Sequence, residues 1–155
     1  MGPMTSTSTF DLAGIDGIFG RWADPIGMRV VRACPDELVT QWPVGPHLSQ
    51  PAGIVNGGVH ATVTETLGGL AAALWLLARD APEGVQPGDI RPDNLPPVVG
   101  LSNFTEFFAT AGDGTLTSTC TPVHRGRTTQ VWQVSTRDER DRLIARGQLR
   151  LLNMG

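Results

Sequence analysis

Glu65 lies eight residues after Gly57, the first of the pair Gly57-Gly58, and the residues between are mostly small. A carboxylate can deliver or activate a nucleophile, and an unhindered backbone amide can hold an oxygen that is gaining negative charge. At about 100° per residue, Gly58, Ala61, Thr62, Gly68, Gly69 and Ala72 fall within about 60° of Glu65 on a helix. Val63, Leu67, Leu70 and Leu74 lie about 140° to 200° away and form the core-facing ridge. An ordinary solvated face carries Lys, Arg and Gln around its Glu; this one carries Gly, Ala and Thr. Such a stripe suits a closely packed backbone, or a ligand that reaches the carboxylate where side chains are missing. Asn56 is a good N-cap residue, which places the Gly57 and Gly58 N–H groups among the unpaired amides of the first turn. Those amides can approach an oxyanion.

Other reactive residues fit less well. His60 sits about 140° from Glu65 around the helix and is expected to be buried and hydrogen-bonded. His47 and His124 read as loop residues. The three histidines have no metal-ligand spacing and no His-Glu-x-x-His occurs, so no metal is expected. The absence of a Gly-x-Ser-x-Gly elbow argues against a serine hydrolase. Gly112-Asp113-Gly114 precedes no helix and reads as a hairpin turn rather than a nucleotide loop. Trp22, Trp42, Trp75 and Trp132 are scattered and suit core packing, and Asp138 to Asp141 suits a solvated turn. Cys34 and Cys120 are too few for a disulfide scaffold and read as buried, inert thiols.

The elements that must position Glu65 follow from periodicity and turn chemistry. Residues 10–22 have helical spacing, and 28–33 and 38–42 form a strand pair around the turn Cys34-Pro35-Asp36-Glu37. A loop over 43–53 leads into a helix from Gly57 to about Ala78, and 80–97 is an extended Pro-, Gly- and Asp-rich loop. Residues 98–110, 115–123, 128–137 and 143–152 read as strands. In the last, Leu143, Ala145, Gly147, Leu149 and Leu151 alternate with Ile144, Arg146, Gln148 and Arg150, so one face is expected to be wet. One long helix inside an antiparallel sheet is an α+β arrangement.

At 155 residues the chain supports one core, taken as residues 10–155. Met1-Gly-Pro-Met4 reads as a cloning scar, and residues 1–9 as that scar plus a polar tail. With 40% hydrophobic and 17% charged residues the composition is globular, and a net charge of -3 gives no basic footprint for nucleic acid. The apolar run Leu67 to Ala78 is short of the roughly 20 residues that cross a bilayer, so no membrane partner and a cytoplasmic location are expected.

The segment from Gln50 through Gly57-Gly58-Val59 to Glu65-Thr66 resembles the loop and central helix of hotdog-fold acyl-CoA thioesterases. It is most similar to the phenylacetate-degradation and 4-hydroxybenzoyl-CoA thioesterase branch. The stretches Val99 to Thr105 and His124 to Thr129 share that likeness, which covers roughly residues 26–152. The resemblance implies a hotdog fold that pairs as a dimer or dimer of dimers and hydrolyses an acyl- or aroyl-CoA ester. No cofactor is implied beyond the CoA of the substrate. It implies Glu65 as nucleophile or general base, the Gly57 amide as oxyanion donor, and Gln50 as a group orienting the carbonyl or water. Asn56 replaces the family's usual His, which removes an ionisable ring, and Gly69 stands where some relatives carry a hydroxyl. Gly58, Thr62, Gly69 and Asn103 are implied to contact substrate, and Arg125, Gly126, Arg127 and Thr128 to hold the CoA phosphates and pantetheine. The alternatives are a non-catalytic acyl-CoA-binding module on the same scaffold and, less favoured, a hydratase or dehydratase, which needs a loop histidine.

Overall fold

The computed structural model describes residues 9–155, with the backbone alone for residues 20–23. The expected scar and tail up to Ser8, and the Trp22 side chain, lie outside the described residues. Helix α1 spans Leu12–Ala23 and α2 spans Gly57–Arg79. The strands are β1 (Arg29–Cys34), β2 (Glu37–Pro43), β3 (Val98–Phe107), β4 (Thr115–Arg125), β5 (Thr129–Arg137) and β6 (Leu143–Asn153). They form one antiparallel sheet in the order β1-β2-β4-β5-β6-β3, and α2 packs against five of the six, β2 to β6. The sheet wraps the helix in a hotdog arrangement.

This order corrects one expected hairpin. Residues 112–114 join β3 to β4, but β3 pairs only with β6, at the far edge of the sheet. The turn at Asp138–Asp141 does close the β5–β6 hairpin. Asp138 accepts hydrogen bonds there from the Arg140 and Arg142 amides and the Arg142 side chain, which hold its carboxyl below the usual range.

The ridge of Val63, Leu67, Leu70 and Leu74 is buried as its spacing requires, against a core that includes Trp42, Trp132, Leu116 and Leu149. The small-residue stripe divides in two. Gly68 and Ala72 are buried, and a Cβ on Gly68 would stand 2.6 Å from Leu149 Cδ2. The wrapped sheet covers more of the helix than a flat one would, leaving Gly57, Gly58, Ala61, Thr62, Glu65 and Gly69 on the open part. Thr64 is also buried, and a Cβ on Gly147 would overlap its hydroxyl. Gly147→Ala is therefore expected to lower unfolding stability by roughly 1–3 kcal/mol or more, read as a drop in urea midpoint.

In β6 the alternation holds from Arg146 onward, but Ile144 is fully buried rather than wet. The β5–β6 pairing passes from Thr136↔Ala145 to Arg137↔Leu143, so Ile144 has no partner and the local bulge turns it inward. The 80–97 segment is irregular, as its composition indicates, yet buried Ile90 ties it to the core beside α1. Helix α2 is long and apolar enough to cross a bilayer by length and composition, with mean hydropathy 1.4. Here its ridge is buried under the sheet instead. Cys120 is buried, which pushes its thiol pKa up, while Cys34 is half-buried and both are free.

His60 is buried as expected, at 5% exposure, but it is not hydrogen-bonded: its Nδ1 has no partner among the described residues. The ring meets Trp42 edge-on at 5.8 Å and Phe107 at 6.0 Å instead. Burial lowers its pKa from 6.5 to about 4. Because the folded value is depressed, the unfolded chain binds more protons between the two values. The stability associated with neutral His60 is thus complete above about pH 6.5 and declines as pH falls toward about 4, by about 3 kcal/mol in all. Urea unfolding at pH 7 and pH 4.5 should show a smaller acid loss in His60→Leu than in wild type.

Candidate active site

Glu65 projects from α2 onto edge strand β3, and three β3 residues shape its surroundings. A Cβ on Gly100 would stand 2.6 Å from Glu65 Oε1, so a side chain there would displace the carboxylate from its present position. In an unbroken strand Gly100 would face away from Asn103, but the β3–β6 register shifts between Gly100 and Ser102. Asn103 Nδ2 donates to the Ala61 carbonyl at 2.9 Å and to Glu65 Oε2 at 3.3 Å. The Thr105 hydroxyl donates to Asn103 Oδ1 at 2.7 Å. Glu65 sits on the wall of an apolar cavity of about 860 Å³ with Thr62, Gly69, Phe19, Leu70, Leu95 and Pro97. The Thr62 hydroxyl donates to the Gly58 carbonyl at 2.8 Å.

At the start of α2 the cap forms as its sequence indicates. Asn56 Oδ1 accepts from the Gly58 N–H at 2.8 Å, and the Val59 N–H goes to the Asn56 carbonyl at 2.9 Å. The Gly58 amide is therefore taken, while the Gly57 N–H has no acceptor among the described residues. Gly57 lines a second cavity, of about 360 Å³, with Gln50, His60, Phe107 and Phe108. A Cβ on Gly57 would stand 2.8 Å from the Phe107 ring. Gln50 Oε1 accepts from the Ala52 N–H at 2.7 Å, which holds the side chain beside this cavity.

The Arg125–Thr128 segment does not act as one patch. Arg125 donates to the Pro35 carbonyl at 3.1 Å and to Asp36 at 2.7 Å, and its guanidinium lies 5.3 Å from the Trp75 ring and 5.8 Å from Trp132. That makes it a brace between the β1–β2 turn and the core. Gly126 and Arg127 offer their carbonyls to Asn153 Nδ2 at 3.2 and 3.0 Å, and the Arg127 and Thr128 side chains remain exposed. His124 belongs to β4 rather than to a loop. Among the described residues no group of three or more metal-ligating side chains occurs.

Gly57 and Glu65 are eight residues apart on one helix, a rise of about 12 Å, and they line different cavities. Within a single chain they cannot meet one carbonyl. Sequence reasoning did not single out Gly100 or Thr105. A glycine inside an otherwise strand-like run is the signal that points to the first.

A six-stranded antiparallel sheet wrapped around one long central helix is the hotdog architecture of thioester hydrolases. Residues 52–145 match the model of the thioesterase superfamily, and the chain belongs to that family. It is 36% identical over 129 residues to protein Rv1847 of Mycobacterium tuberculosis, covering 83% of each chain. It is 31% identical over 114 residues to the 1,4-dihydroxy-2-naphthoyl-CoA hydrolase of Escherichia coli, covering 74% of this chain and 72% of that one. Among solved structures, AziG of S. sahachiroi superposes with a TM-score of 0.73 at 44% identity, covering 87% of this chain and 97% of that one.

Proposed function

We propose that the protein hydrolyses acyl- or aroyl-CoA thioesters to the free acid and CoA at sites shared between two subunits. The observation that carries this reading is the separation of Gly57 from Glu65 on one chain. A second copy supplies what is missing: Glu65 of one subunit meets the Gly57 amide of the other. If two α2 helices run antiparallel across a twofold axis with 57 opposite 65, the residue on the axis is 61, since (57 + 65)/2 = 61. Ala61 is small enough for that approach. Strand β3 is a long unpaired edge with exposed Val99 (48%), Leu101 (50%) and Phe104 (67%), the kind of edge that pairs with another copy.

In the shared site the Gly57 N–H, at the positive end of the helix dipole, holds the thioester oxygen as it becomes an oxyanion. The Glu65 carboxylate either attacks the carbonyl carbon, giving an anhydride that water cleaves, or takes a proton from the attacking water. Either way the C–S bond breaks and CoA leaves as a thiolate, a good leaving group that needs no metal or further cofactor. On this reading Arg127 and Thr128, both exposed, meet the polar end of CoA. The hydrolase of E. coli named above gives independent support for a CoA ester. Thiol release from acetyl-, long-chain, phenylacetyl- and benzoyl-CoA tests the reading and ranks the acyl groups; no release from any of them overturns it.

A further inference from the structure

We infer that Asn103 and Thr105 are positioning residues that set the orientation of the Glu65 carboxylate, an inference that rests on the catalytic reading of Glu65. Asn103 is implied by the family resemblance to contact substrate, and in the structure both of its N–H donors are engaged within the protein. A primary amide has two N–H donors and one carbonyl acceptor. The donors go to the Ala61 carbonyl and Glu65 Oε2, and the Thr105 hydroxyl occupies the carbonyl.

The two acceptors on α2 decide the direction of the amide, and the Thr105 hydroxyl, which also lies 3.4 Å from Thr64 Oγ1, supports it. Turned over, Asn103 would present its carbonyl oxygen to a carboxylate and to the Ala61 carbonyl, three acceptors facing one another. The NH2 group therefore faces Glu65, and the Thr105 hydroxyl, donating to Oδ1 at 2.7 Å, holds the amide plane from the other side. The Ala61 bond ties the same amide to the helix four residues before Glu65, so strand, helix and carboxylate are held as one unit. Gly100 completes the arrangement by leaving space for Oε1. The device belongs to β3, the edge that would pair with a second subunit, so assembly and carboxylate orientation share one strand.

The test uses the full chain and an ester that wild type hydrolyses, comparing Asn103→Ala, Thr105→Val and Thr105→Ser. Misplacing a reacting group by about 1 Å can cost about a hundredfold in rate. Asn103→Ala is expected to lower kcat by about 10- to 100-fold with KM within about threefold, the split that marks lost transition-state positioning. Thr105→Val should lose about 5- to 10-fold in kcat, and Thr105→Ser, which restores the hydroxyl, should recover to within about twofold. A KM increase at unchanged kcat in Asn103→Ala overturns the inference in favour of substrate contact, as does equal activity of the two Thr105 variants. The Thr105 pair decides the matter if Asn103→Ala does not fold. If wild type releases thiol from no ester, the thioesterase reading fails, and the carbon-13 resonance of the Glu65 carboxyl decides the inference alone. That resonance moves in Thr105→Val and returns in Thr105→Ser if the relay exists; no movement in either overturns it.

Discussion

Glu65→Gln is expected to reduce turnover of a CoA ester by about a thousandfold or more while the affinity for the intact ester changes only a few-fold. The amide nearly matches the carboxylate in size, so the surrounding packing survives. Its chemistry does not: a neutral amide is too weak a nucleophile to attack a thioester and too weak a base to take a proton from water. The Gly57 amide and the cavities are untouched, so substrate still binds and its carbonyl is still polarised. Loss confined to kcat, measured by thiol release with affinity from calorimetry, is the expected signature. A variant that retains within tenfold of wild-type turnover would remove Glu65 from the chemistry.

Mixing two inactive variants should restore activity. Glu65→Gln keeps Gly57, and Gly57→Val keeps Glu65 but drives a side chain into Phe107, where even a Cβ would stand 2.8 Å from the ring. Each homodimer then has two defective sites. A heterodimer has one site with both defects and one site with neither, because Glu65 comes from one subunit and Gly57 from the other. With random exchange half of the dimers are mixed and each has one good site of two, so about a quarter of wild-type activity is expected. The measurement is thiol release after the two proteins are unfolded together and refolded. Activity no higher than the sum of the two homodimers places both groups in one chain, which the rise of about 12 Å between them argues against.

The two variants also separate the contributions of the Gly57 amide and the Glu65 carboxylate. Asn56 holds the Gly58 amide and leaves that of Gly57 free, so the amide proposed as oxyanion donor is set by a local rule of helix capping. The Glu65 carboxylate is placed by contacts from a strand more than thirty residues downstream. One is a short-range feature and the other a long-range one.

That contrast describes the whole protein. Helix α2, its Asn56 cap, the Val63–Leu74 ridge and all six strands were legible because periodicity and capping depend on neighbours within a turn or a pleat. Glu65 and Gly57 stood out for the same reason, a carboxylate and a bare helix start among small residues. Strand order did not follow from such rules: the Gly112–Gly114 turn looks like a hairpin, yet β3 crosses to pair with β6. The split of the small-residue stripe, with Gly68 under Leu149, depends on how far the sheet curves around the helix. The contacts of Arg125 with Asp36, Trp75 and Trp132 come from three separate parts of the chain, and His60 reads as a hydrogen-bonded core residue although its neighbours are aromatic rings. Asn103 became a partner of Glu65 only because a bulged edge strand lies beside the helix. Sequence alone determined which groups can do the chemistry, since that is a property of residue type and local backbone. Tertiary structure decided which of them remain free to do it, because a donor or acceptor engaged by a distant partner is no longer available to a substrate.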